Sequence, residues 1–486
     1  MAVPDAQVTV QVSINGQDFG ASVARVKFHQ HVRVARVSPP RGPSAGGNIV
    51  AVYGTGFENS AHLKCRFDDV VVEAEFRSPE EVLCRAPSHV EGLVYVEVSV
   101  NGEDFSFSGV PYEFFTGPII NSLSPPLGPL YGGTRVHLVG QNFLPWALTV
   151  CRFGDTIVPV VEFLNSQEII CVSPPSLGHT GSVSVEVSTN NATFSNNGLR
   201  FRYHSRVTVL VLEPHRGPAS GGTEVVVYGT GFEDFDLERD AFGFVTSPQL
   251  LMCRFGEFVV NATYLAENMI TCVSPPQLTG TVPLDVSLNG ADFSFSGTAF
   301  VYYETPVIDY IIPPTGPALA GGTLVSVFGK NFENTVNIAC RFGTSSTPAT
   351  WRSSTTLLCR APPSLPGAVP FSVSNNGIDF SDQNVTYGYH EDVSVLSIVP
   401  RRGLVEGQIP VYIEGVNFVN DTSLSCKFGV DQVRGLFINE NLIVCIAPSR
   451  IAGHVVPAEL VPVEVSNNGV DFSDSRVMFQ YMENCP

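Results

Sequence analysis

From Val94 to Phe114 the chain reads VYVEVSVNGEDFSFSGVPYEF: apolar and polar residues alternate, an Asn-Gly pair interrupts, and a second run closes on an aromatic. The pattern returns at Val183 to Phe201, Val282 to Phe300, Val369 to Tyr387 and Val461 to Phe479, and it opens the chain at Val8 to Phe28. Alternation at period two marks a half-buried strand, and Asn-Gly accepts the positive φ of a tight turn. The pattern therefore predicts six β-hairpins, each turning tightly at its Asn-Gly or Asn-Asn pair.

The segments between hairpins repeat as well. Val37 to Pro43 (VSPPRGP) leads into Gly46-Gly47, a strand, and Gly54-Thr55-Gly56-Phe57. Leu123 to Pro129, Leu212 to Pro218 and Ile312 to Pro317 open three further units, each followed by Gly-Gly-Thr. The fifth opening, Gly403-Leu404-Val405-Glu406-Gly407-Gln408, loses the proline and the second glycine. Each unit then carries Cys-Arg-Phe or Cys-Lys-Phe and a second cysteine before Ala-Pro or Ser-Pro. The pairs are Cys65/Cys84, Cys151/Cys171, Cys253/Cys272, Cys340/Cys359 and Cys426/Cys445. One unit reads as about seven short strands, the first kinked at Pro-Pro, which is the strand inventory of an immunoglobulin-like sandwich. It is not of the antibody type. The cysteines are too close for that inter-sheet link, and Trp146 and Trp351 do not recur as a core tryptophan.

Taken together, Ser-Pro-Pro-x-Gly-Pro, Gly-Gly-Thr, Gly-x-Gly/Asn-Phe, Cys-x-Phe-Gly, Cys-x-x-Pro-Pro and Ser-x-Asn-Gly-x-Asp-Phe resemble the IPT/TIG domain. The resemblance implies an all-β chain: a tandem array of five immunoglobulin-like β-sandwich domains preceded by a partial sixth, its C-terminal hairpin only. The expected boundaries are 1–33 for the partial repeat, then 34–116, 117–204, 205–304, 305–390 and 391–486. Such domains build stalks and arrays of surface proteins, and occur singly in transcription factors and starch-acting enzymes. The fold alone therefore does not carry a function. Short linkers add the expectation of an extended arrangement, on the order of 120 Å or more for five units in line.

Composition narrows the partners. The chain has 486 residues and a net charge of −19, with lysine only at Lys27, Lys64, Lys330 and Lys427. A phosphate backbone would be repelled, so no nucleic acid is expected. No run of about 18 apolar residues is present, so no membrane span is expected within the chain. The first residues, Met1-Ala2-Val3-Pro4-Asp5, are not a signal peptide. The lone opening hairpin suggests instead a fragment of a longer chain, continuing upstream with the rest of a sixth unit. The absent leader then says nothing of location.

Among candidate sites the cysteine pairs stand first. Zinc sites want clustered ligands, and each unit has only two cysteines, widely spaced. Intradomain disulfides are the reading, with free core thiols as the alternative. Disulfides would require an oxidising compartment, hence an extracellular or cell-surface location. Cys485, the eleventh cysteine, is left over and available to a further domain or an intermolecular disulfide. Four Asn-x-Ser/Thr sequons, at Asn191, Asn261, Asn384 and Asn420, are candidate glycosylation sites. Asp104, Asp292, Asp379 and Asp471, with Asp18 in the opening hairpin, are expected to hydrogen-bond their own turn backbone rather than bind calcium. Unit two has Thr193 there. His29 and His31 are expected side by side on one strand face, without the further ligands of a metal site. The third unit carries an acidic insertion at 233–250, whose Phe235, Phe242 and Phe244 make it a candidate partner loop. No recurrent catalytic constellation or phosphate loop appears, and no cofactor or metal is expected.

Three functions fit. The first is a non-catalytic extracellular binding and spacer rod of a receptor or adhesion protein, contacting a protein or glycan. The second is a structural component of a cell wall, matrix or flagellar surface, which an intermolecular Cys485 bond would favour. The third is a domain array attached to an enzyme outside this sequence.

Overall fold

The computed structural model describes residues 7–21, 24–145, 149–176, 180–233, 250–382, 384–450 and 460–482. All regular structure there is β, and no helix among the described residues is long and apolar enough to cross a membrane. The insertion with Phe235, Phe242 and Phe244, and Cys485 with it, lie outside the described residues.

The opening hairpin pairs β1 (Gln7–Val10) with β2 (Ala24–Lys27), antiparallel, as a sheet of its own. Every residue of both strands is exposed, as are Val12, Ile14 and Phe19 between them.

Repeat one then runs through eight strands: β3 (Arg33–Ser38), β4 (Arg41–Pro43), β5 (Ile49–Thr55), β6 (Lys64–Phe67), β7 (Val70–Ser78), β8 (Glu81–Arg85), β9 (Gly92–Ser99) and β10 (Val110–Phe115). Their order is β3-β5-β8-β7-β6-β9-β10-β4, and the other four repeats reproduce it. The count is eight where seven were expected because the kinked first strand divides. β3 pairs with β5, the chain passes a cis Ser38-Pro39 bond, and β4 pairs parallel with β10. β7 joins the two layers: its first residues pair with β6 and its last with β8. β3 carries a bulge between Val34 and Arg36, recurring in repeats two, four and five, which breaks the regular edge a foreign strand would need.

The hairpin prediction needs one correction. β9 and β10 do pair antiparallel, but residues 100–109 separate them, so the Asn-Gly turn is the tip of a long connector and not a tight two-residue loop. The connector is anchored by Ser106, whose N–H donates to Val98 O and whose hydroxyl accepts from Val98 N–H.

The core explains the absent tryptophan. Phe67, Tyr112 and Phe114 meet edge to face at centroid distances of 5.0 to 6.1 Å, beside the buried Cys65 and Cys84. Phe153/Phe201/Tyr203, Phe342/Tyr387/Tyr389 and Phe428/Phe479/Tyr481 repeat the triad. The first glycine of Gly-x-Gly/Asn-Phe is required by close approach. A Cβ at Gly54, Gly140, Gly329 or Gly415 would overlap a carbonyl oxygen of the repeat's first strand.

The cysteines are bonded within their repeats, as Cys65–Cys84, Cys151–Cys171, Cys253–Cys272, Cys340–Cys359 and Cys426–Cys445, with Cα separations of 6.1 to 6.5 Å. The alternative of free core thiols is thereby set aside. The sequence reading nevertheless needs a second correction here. A spacing of 19 or 20 residues looked too short to link two sheets, yet Cys65 lies on β6 in one layer and Cys84 on β8 in the other. The bond spans the layers because β7, between the two cysteines, crosses from one to the other. Cys171, Cys272, Cys359 and Cys445 hold the position of Cys84. Each of the five faces a buried valine of the repeat's second long strand: Val50, Val136, Val225, Val325 or Val411.

The described residues group into two compact units. One comprises Met1–Thr208, Thr230–Met252 and Val286–Phe295; the other comprises Val209–Gly229, Cys253–Asp285 and Ser296–Pro486.

Residues 1–33 do not all stand outside repeat one. Val32 is 3 % exposed and packs in the core with Val34 and Phe57. His29 and His31 do not share a strand, since β2 ends at Lys27 and β3 begins at Arg33. The exposed Lys27–Glu58 ion pair ties the hairpin to repeat one, a contact of small worth in water. Deleting residues 1–31 is therefore expected to leave the melting temperature within about 3 °C of the full chain. A larger fall on a thermal scan would show the hairpin to be an integral part of the fold.

Candidate functional site

The motifs at opposite ends of a repeat meet in space, at the joints between successive repeats. Each tip begins with an asparagine whose side chain organises the turn. Asn468 Oδ1 accepts the N–H groups of Val470 (3.0 Å) and Asp471 (2.9 Å) and the hydroxyl of Ser466 (2.9 Å). Its Nδ2 donates to Asp471 Oδ2 (2.7 Å). The turn is local: Asn15 in the opening hairpin makes the corresponding bonds to Gln17, Asp18 and Ser13. The sequence expectation thus named the wrong residue. The asparagine satisfies the turn backbone because its oxygen lies two and three residues upstream of the N–H groups, and the aspartate is left for another partner.

That partner is the preceding repeat. In the second unit, Asn468 Nδ2 also donates to Thr315 O (2.8 Å), and Thr323 Oγ1 donates to Asp471 Oδ2 (2.7 Å). Asn376 likewise donates to Arg216 O (3.0 Å), and Thr223 to Asp379 (2.8 Å). In the first unit, Asn289 donates to Leu127 O (2.9 Å), and Thr134 to Asp292 (2.7 Å). The accepting carbonyl is that of the residue before Gly-Pro, and the threonine is that of Gly-Gly-Thr. The glycine between them has to be glycine: a Cβ at Gly128, Gly217 or Gly316 would overlap the threonine hydroxyl. Two motifs that read as turn punctuation are the halves of one socket.

The disulfide stands just behind that socket. Thr134, Thr223 and Thr323 each precede by two residues the valine that faces Cys171, Cys272 or Cys359, so the socket threonine lies just ahead of the strand that packs beside the core bond. In repeat five the same strand position opposite Cys445 is Val411, and Ile409 stands where the threonine would be.

Joint one, between repeats one and two, departs on both sides. Asn190 donates to Arg41 O (3.0 Å), but the socket residue is Asn48 and the tip residue is Thr193. Asn48 Nδ2 donates to the hydroxyl of buried Tyr112 (2.9 Å), and Thr193 Oγ1 donates to its own Asn190 Oδ1 (3.1 Å). Burial pushes the Tyr112 phenol up to about 12, so it stays a neutral donor and acceptor.

Behind each tip stands the basic residue of Cys-Arg-Phe. Arg66 lies 4.5 Å from the Phe105 ring, Arg152 4.1 Å from Phe194, and Arg341 4.1 Å from Phe380. Arg152 also donates to Glu186 and Lys427 pairs with Glu464, so the cation bridges the tip phenylalanine and an acid on the neighbouring strand. Nothing in the pattern of apolar positions flagged this brace.

The residue closing the last strand faces the joint: Phe115, His204, Tyr303 and His390 occupy it in repeats one to four, level with the proline after the glycine. His204 is 3 % exposed, its Nδ1 lies 2.7 Å from Ser205 O, and its buried Nε2 has no hydrogen-bond partner. Burial lowers its pKa below the ordinary 6.5, against smaller opposing contributions from the Ser205 carbonyl, Glu233 and Asp292; Arg202 acts with burial.

The other candidates are placed apart. Asn191, Asn261, Asn384 and Asn420 are all exposed. Asp68, Asp69 and His89 bring three donor atoms within 4.8 Å of one another, a grouping the sequence did not suggest. In repeat five Arg450, which stands where His89 stands, lies 3.1 Å from Asp431.

The IPT/TIG domain model matches residues 33–114, 118–203, 208–302, 306–389 and 394–481. Plexin-A4 of Danio rerio is 27% identical over 378 residues, covering 72% of this chain and 19% of that protein. Fibrocystin-L of Homo sapiens is 26% identical over 356 residues, covering 71% of this chain and 8% of that protein. The chain thus spans about a fifth or less of these relatives. Among solved structures, the plexin A4 full extracellular region aligns over 93% of this chain and 50% of that chain, at 14% identity and a TM-score of 0.30.

Two measurements test the joint. In a double-mutant cycle with Thr323→Val and Asp471→Asn in the full chain, the coupling is expected at about 1.5 kcal/mol, the scale of a hydrogen bond to a charged group. A coupling near zero by denaturant titration would remove the bond from the joint's energetics. The second concerns His204. A histidine whose folded pKa is lowered takes up its proton first in the unfolded chain, so its contribution is full above about 6.5 and is lost as pH falls toward the lower folded value. Melting temperature is expected to fall more steeply between pH 7 and 5 in the native chain than in His204→Phe, which carries the residue type of Phe115. Identical profiles would contradict this.

Proposed function

The chain belongs to the IPT/TIG domain family, and on that premise we propose that it is a non-catalytic extracellular section of a cell-surface receptor or adhesion protein. It spaces and orients whatever partner-binding surface the whole protein presents, protein or glycan. The observation that carries the reading is one buried disulfide per repeat, five in all. Such bonds persist where the surroundings are oxidising and are rare in the reducing cytosol of mesophiles. The net charge of −19 supports a protein that does not seek nucleic acid. The joints support the spacing role. Each fixes a tip to the preceding repeat by a hydrogen bond to main chain, which holds whatever side chains decorate the surfaces around it.

The experiment is thiol accounting on the endogenous protein, with surface labelling of intact cells. The ten repeat cysteines are expected to resist alkylation under denaturing, non-reducing conditions, and the protein to be labelled by an impermeant reagent. Ten reactive thiols together with no surface label would overturn the proposal. A reduction-sensitive multimer on a non-reducing gel would instead favour a structural wall or matrix assembly joined through Cys485.

A further inference from the structure

The tip of repeat two differs from its counterparts at two positions, and the two differences belong together. Where the other repeats have Gly102, Gly290, Gly377 and Gly469, it has Asn191; where they have Asp104, Asp292, Asp379 and Asp471, it has Thr193. Neither exchange alone makes an acceptor for an N-linked glycan. Together they write Asn191-Ala192-Thr193. The fold tolerates both. Asn191 sits at φ +54°, a left-handed conformation asparagine adopts more readily than most residues, and it is exposed at the end of the turn. The turn itself is intact, since Asn190 Oδ1 still accepts from Ala192 N–H (3.0 Å) and Thr193 N–H (2.9 Å).

One position cannot hold both the carboxylate of the joint and the hydroxyl of a sequon. The third exchange, across the joint, fits that trade. A threonine in the socket would face a tip without its acceptor; repeat one has Asn48 instead, engaged with Tyr112. We propose that Asn191 carries an N-linked glycan at the joint between repeats one and two, and that the exchange making its acceptor is the one that removes the Thr–Asp bond there. This rests on the extracellular reading above. The joint keeps the Asn190 bond to Arg41 O and exchanges its second bond for a hydrated sugar at the tip.

The test uses the full chain secreted from eukaryotic cells. Enzymatic deglycosylation in heavy-oxygen water marks each occupied asparagine, read by peptide mass spectrometry. Asn191 is expected to be marked, to stay marked in Thr193→Ser, and to be unmarked in Thr193→Asp. Adding Asn48→Thr to Thr193→Asp rebuilds the bond of the other joints. Amide exchange at residues 190–193 should then slow by about fivefold relative to Thr193→Asp alone, the factor for a hydrogen bond of ordinary strength. Label at Asn261, Asn384 or Asn420 with Asn191 bare would overturn this proposal and leave the extracellular reading standing. All four bare would count against both. Unchanged exchange in the rebuilt pair would overturn the trade between bond and acceptor.

Discussion

The structure depends on what becomes of one buried amide per joint. Asn190, Asn289, Asn376 and Asn468 are 3 to 5 % exposed. A primary amide taken from water with a donor or acceptor unmet costs about 1–3 kcal/mol. The tip uses the oxygen for its own backbone and, at Asn289, Asn376 and Asn468, one hydrogen for the aspartate, which leaves one hydrogen to place. A carbonyl of the preceding repeat takes it in every case described. The tip therefore satisfies its polar groups fully only when docked, which makes the joint specific in geometry as well as attractive. In repeat one the same turn, Asn101 with Asp104, stands exposed, where water can take that hydrogen.

The division of labour between core and joint follows from size. A repeat of under a hundred residues buries too little surface to be generously stable, and a disulfide closing a loop of about 20 residues adds roughly 3 kcal/mol in the chain-entropy model. With the bond and the aromatic triad holding each sandwich, the connector between its last two strands is free to project beyond the body. The Arg–Phe brace fixes where it projects. The same cysteine motif thus supplies the core with its sulfur and phenylalanine and the tip with its support.

Much of the fold was legible because its signals are local. Period-two alternation placed the strands, and equal spacing paired the cysteines. What was misread involved partners distant in sequence, or a strand that changes layer. The link between sheets was missed because spacing alone does not reveal that β7 crosses over. Asp471 looked like a turn residue because the sequence shows it beside Asn468, whereas its second partner, Thr323, lies 148 positions away. Gly-Gly-Thr looked like a turn followed by a strand, and nothing nearby hinted that the threonine hydroxyl would be used. The one available signal was covariation within the chain. The only repeat with asparagine in the Gly-Gly-Thr position precedes the only full repeat without aspartate in its tip, and that pairing is meaningful only if sockets and tips of successive repeats touch.

That correlation also explains why internal repeats diverge where they do. A residue facing only its own core can drift with its immediate neighbours, as the position of Tyr112 does, being Phe201, Phe300, Tyr387 and Phe479 in the other repeats. A residue at a joint is bound to a partner in the next repeat, so it changes in step or leaves a buried group unmet. Asn142, Asn331 and Asn417 show the milder form. They stand where Gly56 and Gly231 stand, all five at positive φ, and each asparagine adds a bond to the carbonyl of the linker behind it, Gly117, Thr305 or Asp392. Glycine and asparagine both satisfy the backbone there, but only asparagine also ties down the linker. The repeats are thus equivalent in fold and graded in how firmly their joins are held.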